Sequence, residues 1–364
     1  MQMDAPLKRS PQKAQSGFTL ASRARDAAHN GRADRPFIDP PARTTVTNTH
    51  RPALLLTGHI TPHPPLEAQL MAAFDCHVLA DEADPAAFIA REGSRYPVLV
   101  TSGKNGANAD LIASLKGLKA IAHFGVGYDN VDVAAASKQG VVVSNTPDVL
   151  NDCVADLAMG LLIDTVRGLS ASERFVRRGD WLKGNFRLTS RVSGKKLGIA
   201  GLGRIGRTIA KRASGFDMAI RYYSRNPVAG VTFQHEKSLV ELAKWCDVLM
   251  VVVSGGPATK HLVSAEVIEA LGPQSFLVNV SRGSVVDEEA LIRALKDKQI
   301  AGAGLDVFAD EPRVPAALME FDNVVLLPHM ASGTHETRKA MGDLVFANVQ
   351  SFFETGKLVT PVPA

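Results

Sequence analysis

Downstream of His50 the chain alternates short apolar runs with helical stretches. The runs "ALLL" (53–56), "HVLA" (77–80), "PVLV" (97–100), "KAIAHF" (119–124) and "GVVVS" (140–144) are almost continuously apolar, as strands covered on both faces of a parallel sheet must be. With helix-like segments such as 108–116 between them, residues 51–150 are expected to form one α/β unit. From Asn151 the stretch "NDCVADLAMGLLIDTVRGLSASERFVRRG" places Val154, Leu157, Leu161, Leu162 and Val166 on one face. This predicts one long helix, capped by Asn151 or Asp152.

A second series follows: "KLGIAG" (196–201), "AIRYYS" (219–224), "DVLMVVV" (247–253), "SFLVNV" (275–280), "GAGLDVF" (302–308) and "NVVLLPH" (323–329). Six βα-like repeats suit a doubly wound sheet, and this half is too short for the eight of a barrel. The expected fold class is therefore α/β, with two Rossmann-like doubly wound units, the second spanning 151–330. The final segment, 331–364, carries Met341, Val345, Val349 and Phe352 on one stripe and a stop at Gly356, and is expected to return to the first unit.

Composition alters this picture only at the N-terminus. Residues 1–50 are poor in aliphatics, rich in Arg, Ala, Ser and Pro, and hold eight of the 41 basic but only four of the 37 acidic residues. They read as a disordered basic extension, and Asp4, Asp26, Asp34 and Asp39 weaken a transit-peptide alternative. Without them the net charge of +4 disappears, which argues against a nucleic-acid partner. No apolar run is long enough for a bilayer, so no membrane partner is expected. Cys76, Cys153 and Cys246 are scattered without a CxxC pair, which points to a reduced, cytoplasmic setting and to no metal site.

The chemistry begins at "GIAGLGRIGR". Gly201, Gly203 and Gly206 form G-x-G-x-x-G between a predicted strand and a predicted helix, the context in which a dinucleotide pyrophosphate meets a helix N-terminus. A second glycine pair, Gly125 and Gly127 in "GVGYDN", has Asn130 where a third glycine would fall and reads as a substrate-facing loop. The strand "IRYYSRNP" ends without the carboxylate that would hold the two ribose hydroxyls of NAD. Ser224, Arg225 and Asn226 stand there instead and suit a 2′-phosphate, so NADP(H) is the expected cofactor. A surface arginine before Pro227 is the bland alternative.

Arg282, Glu311 and His329 each follow a predicted strand, where open α/β sheets carry their sites. A guanidinium binds a carboxylate with two hydrogen bonds, an imidazole moves a proton near neutral pH, and a carboxylate favours the protonated imidazole. Together they suit reduction of a 2-keto acid. Singly, each could be a helix cap, an exposed turn acid or a structural histidine.

The stretches "HFGVGYDNVD", "SNTPDVLNDCVADLA", "GIAGLGRIGR", "LVNVSRGSVVDEEAL", "AGAGLDVFADEP" and "NVVLLPHMASGTHETR" make the chain resemble the D-isomer-specific 2-hydroxyacid dehydrogenases, in particular the glyoxylate/hydroxypyruvate and hydroxyphenylpyruvate reductases. The likeness runs from residue 53 onward. It implies a cofactor domain inserted into a split substrate domain, and a homodimer. By the same resemblance Arg282 binds the keto-acid carboxylate with amides of Ser102, Gly103, Val126 and Gly127. His329 then donates the proton, and Glu311 orients His329 and raises its pKa. Gly203, Arg204 and Ile205 cradle the pyrophosphate, Asp306 holds the nicotinamide carboxamide, and Val280, Ser332 and Gly333 line the cofactor site. Trp181 is expected at a dimer interface, reaching the partner's site, or in the core. Glyoxylate or hydroxypyruvate is the expected substrate, with hydroxyphenylpyruvate an alternative and an NAD(P)-sensing corepressor-like protein the non-enzymatic one. The loop "TGHITPHPPLE" (57–67) is expected over the site, facing it with Ile60, His63 or Leu66.

Overall fold

A computed structural model describes residues 51–363; the expected N-terminal extension lies outside the described residues. Twelve strands form two sheets, and every pairing between named strands is parallel. The first sheet holds β1 (Ala53–Leu56), β2 (Asp75–Val78), β3 (Val98–Ser102), β4 (Ala120–Phe124) and β5 (Val142–Ser144) in the order β2-β1-β3-β4-β5. The second holds β6 (Lys196–Ala200), β7 (Ala219–Tyr223), β8 (Gln234–Glu236), β9 (Val248–Val251), β10 (Phe276–Asn279), β11 (Gly302–Leu305) and β12 (Val324–Leu326) in the order β12-β11-β10-β9-β6-β7-β8. Central strands such as β3, β9 and β10 are buried along their whole length, which explains their unbroken apolar sequence.

The strand order reverses at β1/β3 in the small sheet and at β6/β9 in the large one. Loops beyond the carboxyl ends of strands diverge at such points and leave a crevice. The Ser102–Gly103 loop leaves β3 at one of them, and the glycine turn leaves β6 at the other. Helix His335–Thr355 buries Met341, Val345 and Val349 and returns to the small sheet. Phe346 and Phe353 pack on Phe74 with centroids 6.0 and 5.2 Å away, and the Val362 amide donates to Val143 O. Gly356 ends that helix in the left-handed region, as its place in the sequence predicted.

Four details of the sequence reading are corrected. The second strand is Asp75–Val78 rather than 77–80, its register fixed by pairing Ala53 with Asp75. The large sheet has a seventh strand, β8, whose sequence "QHE" gives no apolar signal because it is an edge strand bonded only to β7. The long helix is two helices, Asn151–Arg167 and Leu169–Arg177, broken at Gly168 with φ 63°. Neither Asn151 nor Asp152 caps it. Leu150 is the cap residue, Asn151 already lies in the first turn and donates to Asp148, and Asp152 accepts from Arg212.

Candidate active site

The glycine turn has the geometry expected of a nucleotide cradle. Gly201 adopts φ 101°, which only glycine takes readily. A side chain on Gly206 would overlap the Gly201 carbonyl, so this glycine lets helix Arg204–Ser214 pack close to β6. Gly203, the N-cap, has open space where a side chain would stand, leaving the helix N-terminus accessible. Arg204 begins the helix and pairs with Asp148 at 3.0 Å, both exposed. At the end of β7, the Ser224 hydroxyl donates to Asn226 O at 2.6 Å, and His235 from the β8 edge approaches Ser224 O at 2.9 Å. Arg225 is exposed on this turn, whose backbone is further held by the Val228 amide donating to the Tyr222 hydroxyl.

Arg282 follows β10, and its guanidinium crosses to the loop after β4. Nε donates to both Asp129 carboxylate oxygens, at 3.1 and 3.3 Å, while Nη1 donates to Ser281 O at 2.9 Å. A side chain at Gly127 would collide with Nη2, so that glycine is needed for the guanidinium to lie over the loop. The loop is fixed from beneath by His123, fully buried in β4, whose Nε2 is 2.9 Å from Gly127 O. Burial pushes the His123 imidazole down to about 4, so near neutral pH it is uncharged and Nε2–H donates. The Asn145 amide donates to Val126 O at 2.8 Å and the Asn130 amide to both Ser102 O and Gly103 O. The Ser102 hydroxyl is buried with no hydrogen-bond partner among the described residues.

His329 and Glu311 meet from separate loops, with Nδ1 and Oε2 2.7 Å apart. Burial pushes the Glu311 carboxyl up. The His329 hydrogen bond and charge, the Phe308 amide and the Arg282 charge outweigh it and hold the group below the usual carboxylate range. An ionised Glu311 fixes His329 as the Nδ1–H tautomer or the imidazolium, leaving Nε2 for a ligand. The backbone of His329 is left-handed, φ 53°, a conformation that costs a non-glycine residue about 1 kcal/mol or more. Asp306, fully buried after β11, holds the next turn in place: its two oxygens accept from the Met330 and Ala331 amides at 2.8 and 3.0 Å. Burial pushes the Asp306 carboxyl up, against those two bonds.

Arg282, Glu311, His329, Gly127 and the Asp306-braced turn thus come together, although they are spread over some two hundred residues of sequence. Val280 is buried at the end of β10, and Ser332 and Gly333 lie on the turn after His329, with the Gly333 amide bonded to Met330 O. Of the loop 57–67, Ile60 and Leu66 are core residues; His63 stacks on Phe124 and lines a cavity of about 470 Å³ with Pro62, Gly333, Thr334 and Arg338. Trp181 is 66% exposed, which rules out the core alternative. The sequence reading passed over Asp129, His123 and Arg338. Asp129 stood within the quoted glycine loop, and His123 was the one polar residue inside an apolar strand. Among the described residues no cluster of metal ligands occurs and no helix is long and apolar enough to cross a membrane.

Comparison with known proteins identifies the family. Residues 159–331 match the family described as D-isomer specific 2-hydroxyacid dehydrogenase, NAD binding domain. A hydroxyphenylpyruvate reductase of Plectranthus scutellarioides is 46% identical over 275 residues, covering 76% of this chain and 88% of that protein. A glyoxylate/hydroxypyruvate reductase of Arabidopsis thaliana is 46% identical over 264 residues, 72% of this chain and 84% of its own. The crystal structure of an NADPH-dependent glyoxylate/hydroxypyruvate reductase from Sinorhizobium meliloti, in complex with NADP and malonate, superimposes with a TM-score of 0.81 at 44% identity, over 86% of this chain and 97% of that one.

Proposed function

The chain belongs to the D-isomer specific 2-hydroxyacid dehydrogenases, reductases of 2-keto acids, and on that premise we propose that it reduces glyoxylate or hydroxypyruvate to the D-2-hydroxy acid with NADPH. The observation that carries this reading is the 2.7 Å His329–Glu311 pair beside Arg282: a proton donor held by an ionised carboxylate, next to a carboxylate-binding fork.

The residues present fit the dinucleotide. The left-handed Gly201, the open face of Gly203 and the close-packed Gly206 make the cradle, to which Arg204 and Ile205 add amides at the helix N-terminus. Ser224, Arg225 and Asn226 would surround a 2′-phosphate, with no carboxylate among them to repel it. Val280, Ser332 and Gly333 would flank the nicotinamide, and Asp306 has lone pairs left for its carboxamide. Bound there, NADPH supplies the hydride.

This chain's own residues do the rest. Arg282 takes the substrate carboxylate on its Nη edge, helped by amides of Ser102, Gly103, Val126 and Gly127, and so fixes the carbonyl relative to His329. His329 Nε2–H donates to the carbonyl oxygen as negative charge develops there, an effect of roughly two to four orders of magnitude in rate. Glu311 keeps the ring oriented and balances the imidazolium charge. The exposed apolar side chains Val176, Trp181, Leu182 and Leu188 lie within one stretch and favour a homodimer through that surface.

Steady-state kinetics with glyoxylate, hydroxypyruvate and hydroxyphenylpyruvate, each with NADPH and NADH, test the reading. It predicts the highest kcat/KM for one of the two small keto acids with NADPH. Preference for the aromatic acid overturns the substrate, preference for NADH overturns the cofactor, and cofactor binding without any turnover points to a sensor instead.

A further inference from the structure

Arg282 belongs to the loop after β10 of the large sheet, and Asp129, its ion-pair partner, to the loop after β4 of the small sheet. The two side chains are 28% and 26% exposed, so the pair is sheltered rather than solvated. Both flanks leave it little room. A side chain at Gly127 would overlap Arg282 Nη2, and one at Gly255 would stand 2.7 Å from Arg282 Cγ and 2.9 Å from Asp129 Oδ2.

The pairing uses one particular edge of the guanidinium. Nε–H goes to Asp129 and one Nη1–H to Ser281 O, which leaves the second Nη1–H and both Nη2–H groups of the fork. These remaining donors form the edge suited to two parallel bonds with a carboxylate. A guanidinium bound only to Ser281 O could turn about its long side chain and offer a different edge. We infer that Asp129 is a positioning residue for the reaction: it fixes the rotation of Arg282 from the opposite lobe, so that the Nη1/Nη2 edge meets the substrate carboxylate. The inference rests on the reading of Arg282 given under the proposed function.

Charge and geometry predict opposite signs here, which makes the idea decidable. Asp129 carries negative charge close to an incoming anion, so on Coulomb attraction and repulsion alone its removal lowers the KM of a keto acid. As a positioning residue its removal raises KM, because a small misplacement of a substrate clamp costs up to about a hundredfold. Asp129→Asn keeps an oxygen that can accept from Nε, whereas Asp129→Ala and the similarly sized Asp129→Leu do not.

The experiment measures KM and kcat for hydroxypyruvate, and the Kd of oxamate, an unreactive analogue of glyoxylate, with cofactor bound. Expected for D129A and D129L is a rise of about tenfold or more in KM and in oxamate Kd, with kcat at saturation changed less than about threefold. D129N should recover most of the loss. Should the first two variants not fold, Asp129→Ser, whose hydroxyl is too short to reach Nε, is measured with and without R282K: a rise in KM acting through the guanidinium disappears in the R282K background, and one that persists there, or no rise at all, overturns the inference. Unchanged or lower KM in D129A also overturns it. A wild-type protein that reduces hydroxypyruvate leaves the functional reading standing whichever way the variants fall, and one that neither reduces it nor binds oxamate removes both.

Discussion

Glu311 Oε2 stands 2.7 Å from His329 Nδ1, and the carboxylate stays ionised below the usual range because His329, the Phe308 amide and Arg282 all act on it. The pair therefore survives mild acid. Lowering the pH from 7 to 5 should cause no loss of kcat/KM traceable to protonation of Glu311, since a depressed carboxylate gains its proton only below that window. Glu311→Gln keeps a hydrogen-bond acceptor but removes the charge that balances an imidazolium. Its kcat should fall about 10- to 100-fold, while His329→Ala should lose about a hundredfold or more. Fluorescence titration should find NADPH affinity within a few-fold of wild type in both; unaltered turnover in H329A sinks the assignment.

Arg282 is expected to act through binding. Arg282→Ala should raise the keto-acid KM about a hundredfold, and Arg282→Lys should recover little of it, because a point charge cannot reproduce a fork already held on one edge by Asp129. Initial-rate curves over a wide keto-acid range would reveal it, and an R282K enzyme with normal KM would show that charge alone suffices.

On the proposed reading, the end of β7 selects the cofactor. Arg225→Asp puts a carboxylate where a 2′-phosphate is expected, so the ratio of kcat/KM for NADPH over NADH should drop by about a hundredfold or more. A ratio that does not move assigns Arg225 to the surface, the bland reading of "SRNP".

Asp306 offers a separation of roles. Its carboxylate braces the turn after His329 through two backbone amides, whereas the family resemblance suggests a contact with the nicotinamide. Asp306→Asn can accept only one of those amides without opposing N–H groups, and should cost about 1–3 kcal/mol of stability. Urea unfolding reads the brace, and NADPH titration reads the cofactor contact. Loss of affinity with unchanged stability would shift the weight to the second role.

What the sequence carried legibly was what repeats locally. Apolar runs marked ten of the twelve strands in place, because parallel strands are covered on both sides, and β2 two residues late, because its first residues are not buried; the glycines of "GLGRIG" marked the turn because each meets a distinct steric demand. β8 was invisible because an edge strand of Gln234, His235 and Glu236 has no apolar face to display. The break at Gly168 was hidden because glycine within a periodic stretch does not announce whether it turns left-handed. Arg282, Glu311 and His329 were legible by their place after strands. Asp129 was not, since its significance comes from a guanidinium 153 residues away. His123 disappeared into an apolar run for the opposite reason: it is a strand residue in every respect but its ring nitrogens.

That buried ring gives the last prediction. Burial pushes His123 from an ordinary value near 6.5 down to about 4, so between those pH values the unfolded chain binds a proton that the folded protein refuses. Stability from this group is complete above about 6.5 and is lost as the pH falls toward 4, with little further change below. At 1.36 kcal/mol per pH unit the loss at pH 4.5 is about 2–3 kcal/mol. His123→Gln removes the titrating ring, and its side-chain amide extends as far as Nε2 and can still donate toward Gly127 O. Urea unfolding of both proteins at pH 7.5 and pH 4.5 cancels the contribution of the carboxylates they share. Wild type should lose about 2–3 kcal/mol more than H123Q over that interval. Equal losses would mean that the folded protein accepts the proton, and that the Gly127 loop is not held by a neutral His123 donor.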